Sequence, residues 1–433
     1  MKKILSIALS ILLGVLCLAG CSEESKTDNT DNAKLTYYDI KNMGLEYDSY
    51  SVTSYNKQCE NDEDKIEIVE FESDEALKNK LSTELMSGGG PDLISYAQLS
   101  MLGISYEKLI AQGCFADLDE IIKSDTSDDA LDLSQYNQAA LEAGVFDGKR
   151  YCVPQFYMPD FYVASKQELS KYADIKTKSL SYDDAISINS KLEQENSGKC
   201  LSSEADSLLW SYVYDNIDFY DKTFNFDGDF SSTAEKLKSI KGNDEYGADV
   251  LFEIYFNSPY YYYSKFAEIE SKGVKPALVG AVSTDTDEYS AHIYGAYFIN
   301  KNSDKYDKVL KFLKFALSEE EQNEVVGAEI EKFDPNYSNT IGSYFPVNIK
   351  SYETLIKNAA SVKYLDDTVN ISDESVSLLE NSVSRITNYS LPPSTNYMAE
   401  VGGELIEDYI DGDITTSKFV NNLKSKTKIY LEE

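Results

Sequence analysis

One histidine and one tryptophan occur in this 433-residue chain, and each scarcity narrows the chemistry available. With His292 alone, a histidine-based zinc site or a Ser-His-Asp triad has little to draw on. No CxxC or CxxH spacing, no GxSxG elbow and no HExxH is present, so neither a metal nor a cofactor is expected. Basic residues are also scarce, 40 against 75 acidic ones, which leaves a formal charge of -35. That charge repels phosphate backbones and excludes nucleic acid as a partner; its simplest role is solubility. Disorder is excluded too, since hydrophobic residues make up 42% and 34 residues are tyrosine.

Long apolar runs are limited to one, at the start. Met1-Lys2-Lys3 precedes an uncharged stretch from Ile4 to Leu18, and Leu18-Ala19-Gly20-Cys21 ends it. Two lysines hold the start inside the cell, the apolar run enters the export machinery, and small residues before Cys21 permit cleavage there. This is the pattern of a bacterial lipoprotein signal, residues 1–20, with Cys21 as the lipidated first residue of the mature chain. The run is shorter than the ~20 residues a spanning helix needs. Residues 21–32 are almost wholly polar and read as a flexible spacer. The protein is therefore expected on the outer face of the cell membrane, held only by lipid, and soluble beyond it.

About 410 residues remain, more than one hydrophobic core usually serves, so two lobes are expected. Cys59, Cys114, Cys152 and Cys200 lie in a compartment that permits disulfides, and free thiols and one or two bridges are equally compatible with their spacing. Leu35-Thr36-Tyr37-Tyr38 is β-rich, and Ile66 to Phe71 alternates with period two. Between Ser73 and Met86, Ala76, Leu77, Leu81 and Leu85 keep helical spacing, with Ser73 as N-cap. Gly88-Gly89-Gly90-Pro91 ends that helix and Leu93 to Tyr96 follows as a strand, which completes a βαβ unit in an α/β lobe. The glycines follow a helix rather than open one, so they are a C-cap and turn, not a phosphate cradle. Further helices are expected over Lys308–Leu317, from Ser318, and from about Thr416.

Several motifs then fall in order: Gly90-Pro91-Asp92-Leu93-Ile94, Gly113-Cys114-Phe115-Ala116-Asp117-Leu118, Gly148-Lys149-Arg150-Tyr151-Cys152-Val153-Pro154, Gly295-Ala296-Tyr297-Phe298-Ile299-Asn300, Lys311-Phe312-Leu313-Lys314-Phe315 with Gln322, Phe345-Pro346-Val347 and Tyr430-Leu431-Glu432-Glu433. Together they resemble the extracellular solute-binding lipoproteins of ABC importers, specifically the carbohydrate-type cluster that includes maltose-binding protein. The chain departs from the usual pattern where Cys152 replaces a common glycine, and in its near lack of tryptophan. The resemblance implies an α/β, two-lobed periplasmic-binding-protein-like fold with a ligand cleft and a multi-strand hinge. Lobe 1 would comprise 33–154 and 295–348, and lobe 2 would comprise 155–294 and 349–433. Pro154 and Gly295 would mark hinge crossings. The implied partners are a small solute, most simply a carbohydrate, and the permease subunits, with the protein itself a monomer.

Sugars offer C–H faces to aromatic rings and hydroxyls to carboxylates. By resemblance Tyr96, after Pro91-Asp92, and Tyr260, after Asn257-Ser258-Pro259, are aromatic platforms, with Tyr262 beside the latter. Tyr157 and Asp160 follow the first crossing, Tyr38 and Asp39 end the first strand, and Tyr397 and Trp210 complete the candidate set. In so tyrosine-rich a chain each ring has a packing role as its alternative, and for Trp210, in an amphipathic stretch, packing is the favoured one. Two rival functions remain: a secreted polysaccharide-active lipoprotein enzyme, for which no carboxylate pair stands out, and a surface sensor that keeps the binding fold.

Overall fold

A computed structural model describes residues 33–41, 47–174, 178–195, 198–202, 207–242, 249–253, 258–329, 344–361, 371–392 and 396–432. The signal, the spacer and Cys21 lie outside the described residues. From Leu35 onward, β1 (Thr36–Ile40), α1 (Tyr47–Gln58), β2 (Glu67–Phe71), α2 (Asp74–Ser87) and β3 (Leu93–Ser95) follow in turn. β1 pairs in parallel with both β2 and β3, so the expected βαβ unit is present. The Ser73 hydroxyl accepts from the Ala76 N–H at 3.2 Å, and Gly88 ends α2 with φ of 84°, a conformation that glycine adopts without strain. Leu77, Leu81 and Leu85 are buried along one side.

The third strand is shorter than its hydrophobic pattern suggests. Ser95 turns its hydroxyl to the Gln98 N–H at 3.1 Å, and this cap makes Tyr96 the first residue of α3 (Tyr96–Met101) instead of the last of a strand. Asp92 fixes the turn before it. Its carboxylate accepts from the Thr36 N–H and hydroxyl, each at 2.8 Å, from Ser303 at 2.7 Å and from Lys305 at 2.8 Å.

Next come α4 (Tyr106–Ala111) and the hairpin of β4 (Val145–Phe146) and β5 (Lys149–Arg150), turned by Asp147 and Gly148, both at positive φ. β6 (Cys152–Pro159) and β7 (Phe161–Ser165) follow, then α5 (Leu208–Asp215) and a second hairpin of β8 (Ile217–Asp218) and β9 (Thr223–Phe224). After α6 (Pro259–Ser271) and β10 (Pro276–Gly280), the eleven-residue β11 (Tyr289–Ile299) runs alongside β6. Two helices, α7 (Tyr306–Ala316) and α8 (Glu319–Val325), precede β12 (Phe345–Pro346), α9 (Ile349–Ala359), α10 (Asp373–Val383) and β13 (Ile386–Ser390). The last helix is α11 (Thr416–Glu432).

The main sheet is ordered β12-β6-β11-β3-β1-β2, with β13 joined in parallel to the other end of β11. β11 is therefore the common member: Tyr297–Ile299 pair with β3, Ala291–Phe298 with β6, and Tyr289–His292 with β13. Pro154 stands opposite Ala296 and Gly295 opposite Phe156, with register shifts on both sides of Gly295. β7 pairs with β10 apart from this sheet.

Two hydrophobic clusters form the fold, a two-lobed α/β architecture. The larger runs from Leu35 and Leu77 through β6 and β11 to Phe266, Leu355 and Leu379. The smaller gathers Ile188, Leu209, Phe230, Leu405 and Leu423. Cys59, Cys114, Cys152 and Cys200 are free thiols. Among the described residues no helix is long and apolar enough to cross a membrane.

Candidate functional site

A small concavity with about 20 Å³ of water-accessible space lies where α4 meets the tip of the second hairpin and the end of α11. Ser105, Glu107, Lys108 and Ala111 form one wall; Phe219, Tyr220 and Lys222 form the second; Tyr430 and Leu431 close the third. Local sequence builds each wall. Ser105 caps α4, its hydroxyl accepting from the Lys108 N–H at 3.1 Å while donating to the Glu107 carboxylate at 2.7 Å. Burial raises the Glu107 pKa despite the Ser105 hydrogen bond that opposes it. The hairpin tip is wound round Asp218, whose carboxylate accepts from the Tyr220 N–H at 3.0 Å and the Asp221 N–H at 2.8 Å, with Lys222 at φ of 55°.

Aromatic packing holds the walls. Phe219 meets Tyr397 edge-on at 5.3 Å, and Tyr397 meets Tyr430 edge-on at 5.3 Å. Lys108 Nζ lies 4.3 Å from the centre of the Tyr430 ring. Tyr220 packs on Phe146 at 5.4 Å, and its interaction with the Asp147 carboxylate pushes its pKa up to about 12. Deeper in the same seam, the Tyr96 hydroxyl donates to the Pro392 carbonyl at 2.8 Å and the Tyr106 hydroxyl to the Leu391 carbonyl at 3.1 Å.

Aromatic rings beside a carboxyl and an ammonium suit a small polar solute with apolar faces. Glu107 is the one acid among the described residues of the lining. Among the described residues no group of three or more His, Cys, Asp or Glu could hold a metal ion.

The residues singled out from sequence fall into separate places, and none lines this concavity. Tyr96 and Tyr397 stand one layer behind it. Tyr96 is 3% exposed and packs edge-on to Tyr106 at 5.9 Å; Tyr397 is fully buried, its hydroxyl 2.7 Å from that of Thr427. Tyr157, Asp160 and Tyr262 come together at the end of β6. Tyr157 stacks on Phe345 at 5.5 Å, the Tyr262 hydroxyl donates to the Pro159 carbonyl at 3.2 Å, and the Asp160 carboxylate lies 3.4 Å from His292 Nε2. Tyr260 differs most from the platform expected of it. It is 0% exposed and its hydroxyl donates to the Gly327 carbonyl at 2.7 Å, so its ring is a core group here. Tyr38 donates to Glu84 at 2.7 Å, and Asp39 accepts from the Ile40 N–H at 2.8 Å at the end of β1. Trp210 packs half-buried against the smaller core, as its amphipathic stretch suggests.

Phe219, Tyr220, Glu107 and Lys108 were not singled out from sequence. The hairpin tip carries a signal, the run Asp218-Phe219-Tyr220-Asp221-Lys222, in which two aromatics sit in a polar turn. Glu107 carries none, because its neighbours come from distant parts of the chain.

A profile of the family described as bacterial extracellular solute-binding protein matches residues 41–323. A comparison with curated proteins gives no match. Among solved structures, an ABC substrate-binding protein of Listeria monocytogenes in complex with cycloalternan superposes with a TM-score of 0.53 at 16% identity, covering 93% of this chain and 100% of that one. The GacH receptor of Streptomyces glaucescens, solved unliganded and with acarbose, gives 0.52 at 15% identity over 93% and 99%. A periplasmic solute-binding protein of Pectobacterium atrosepticum gives 0.54 at 12% identity over 92% and 99%.

Proposed function

The chain belongs to the bacterial extracellular solute-binding proteins, and on that premise we propose that it captures a sugar or oligosaccharide between its lobes and delivers it to the permease of an ABC importer. The observation that carries the solute-binding role is the family match over residues 41–323, and the small concavity walled by Phe219, Tyr220 and Tyr430 beside Glu107 and Lys108 supplies groups of the kind a sugar contacts. The carbohydrate ligands named for the Listeria and Streptomyces proteins of the same fold support it. We assign residues 33–154 with 295–348 to one lobe and 155–294 with 349–433 to the other. Packing of α10 on α6 and β10 supports that division, and Pro154 and Gly295 become hinge positions between β6 and β11. Solute that touches both lobes favours the closed state by its differential affinity. Cys21 carries the lipid that keeps a monomeric receptor near its permease and raises its local concentration there. The protein binds and does not catalyse; its uptake energy comes from ATP hydrolysed by other subunits.

Thermal-shift measurements with maltotriose, acarbose, cycloalternan, xylotriose, amino acids, polyamines and short peptides test the reading. Ligand at about 100 times its Kd stabilises the native state by ~2.7 kcal/mol, a rise of several degrees. A shift by one or more sugars is the expected result. Shifts by peptides or polyamines alone overturn the sugar class, and product released from a shifting sugar overturns the binding role. Cys21→Ser should move the protein from the membrane to the soluble fraction of its host; unchanged membrane association would refute the anchor.

A further inference from the structure

Two contacts cross the seam on the rim of the concavity. The first joins the hairpins: Tyr220 lays its ring 5.4 Å from Phe146. The second is the Lys108 ammonium over the Tyr430 ring at 4.3 Å. Both tips are shaped locally for this. Asp147 and Gly148 form a tight turn at φ of 50° and 72°, and Asp218 clamps the amides of Tyr220 and Asp221. Neither hairpin is part of the main sheet, so each is a short projection whose tip is free of ladder constraints. Tyr220, Lys108 and Tyr430 also line the cavity, which makes them wall and fastening at once.

We propose that these contacts are a clasp: Tyr220 with Phe146, and Lys108 with Tyr430, hold the two lobes together before solute arrives. The inference rests on the lobe division and solute-binding role proposed above. A clasp made only in the closed state shifts the unliganded protein toward closure, and solute then has less closing work to do. One ring contact and one cation–π contact each contribute modestly, so the clasp biases the equilibrium without locking it. Solute exchange therefore remains possible.

Small-angle X-ray scattering of the ligand-free protein tests this without any solute. The double variant Tyr220→Ala/Lys108→Ala should have a larger radius of gyration than the parent, and each single variant an intermediate one. Phe146→Leu, which trades the ring contact for a smaller aliphatic one, should shift in the same direction by less, and it keeps the test alive where the alanine variants fail to fold. Circular dichroism must show unchanged secondary structure throughout. A folded double variant with the parent's radius overturns the clasp. A negative thermal-shift panel, by contrast, strikes at the sugar reading and leaves the scattering result standing.

Discussion

Lys305 Nζ lies 2.8 Å from Asp92 Oδ2, a link across 213 positions of sequence that ties the segment before α7 to the turn before β3. The same carboxylate serves Thr36 and Ser303, so β1, β3 and the α7 segment meet on one residue. Burial alone would raise its pKa, but the hydrogen bonds from Lys305, Ser303 and Thr36 outweigh it and hold the carboxyl below its ordinary value. Asp92→Ala strands the half-buried Lys305 and the Thr36 amide, and should cost about 2 kcal/mol by urea unfolding at pH 7. Because the folded pKa is depressed, the stabilisation is complete above the unfolded value of 3.8 and is lost as pH falls through the folded one. The gap between the two proteins should accordingly shrink below about pH 4.

Glu321 behaves oppositely. It is 1% exposed on α8, accepts from the Ser54 hydroxyl at 2.9 Å, and burial raises its pKa from 4.5 to about 7. The native state keeps this proton between pH 4.5 and 7 while the unfolded chain loses it, so stability falls as pH rises through that window. Glu321→Gln should be roughly 2 kcal/mol more stable than the parent at pH 8, with the two nearly equal at pH 4.5. Paired urea melts at the two pH values read this directly; a difference independent of pH would refute it.

Tyr260 separates packing from binding. Tyr260→Ala should cost about 3–5 kcal/mol because it empties a core site. Tyr260→Phe leaves the Gly327 carbonyl without that donor and should cost about 1 kcal/mol. Affinity for any sugar found in the thermal-shift panel should be unchanged in the phenylalanine variant, measured by calorimetry, whereas Phe219→Ala should weaken it about tenfold or more.

Gly144 precedes the first hairpin, and a β-carbon there would lie 2.1 Å from the Cys152 carbonyl oxygen. Backbone cannot yield as a flexible side chain does, so Gly144→Ala should destabilise the protein by about 2–3 kcal/mol. Gly148, with open space around its would-be β-carbon, is the comparison: Gly148→Ala meets only the cost of its positive φ, about 1 kcal/mol. Equal melting points for the two variants would contradict the steric argument.

What could be read from sequence alone was set by short-range physics. The Ser73 cap, the Gly88 stop, the alternation before Phe71 and the apolar stripe of α7 each depend on residues within a few positions of one another, and all appear in the fold. Tyr96 marks the limit even there, since Ser95's hydroxyl decides between strand and helix at one residue. Which of the 34 tyrosines face a cavity was decided only by tertiary packing. Tyr260 and Tyr430 are alike as side chains. Yet one is sealed against Gly327 and the other closes a wall with Lys108, because their neighbours come from 67 and more than 300 positions away. A ring's exposure is a property of those long-range contacts, and no local pattern in the chain encodes it.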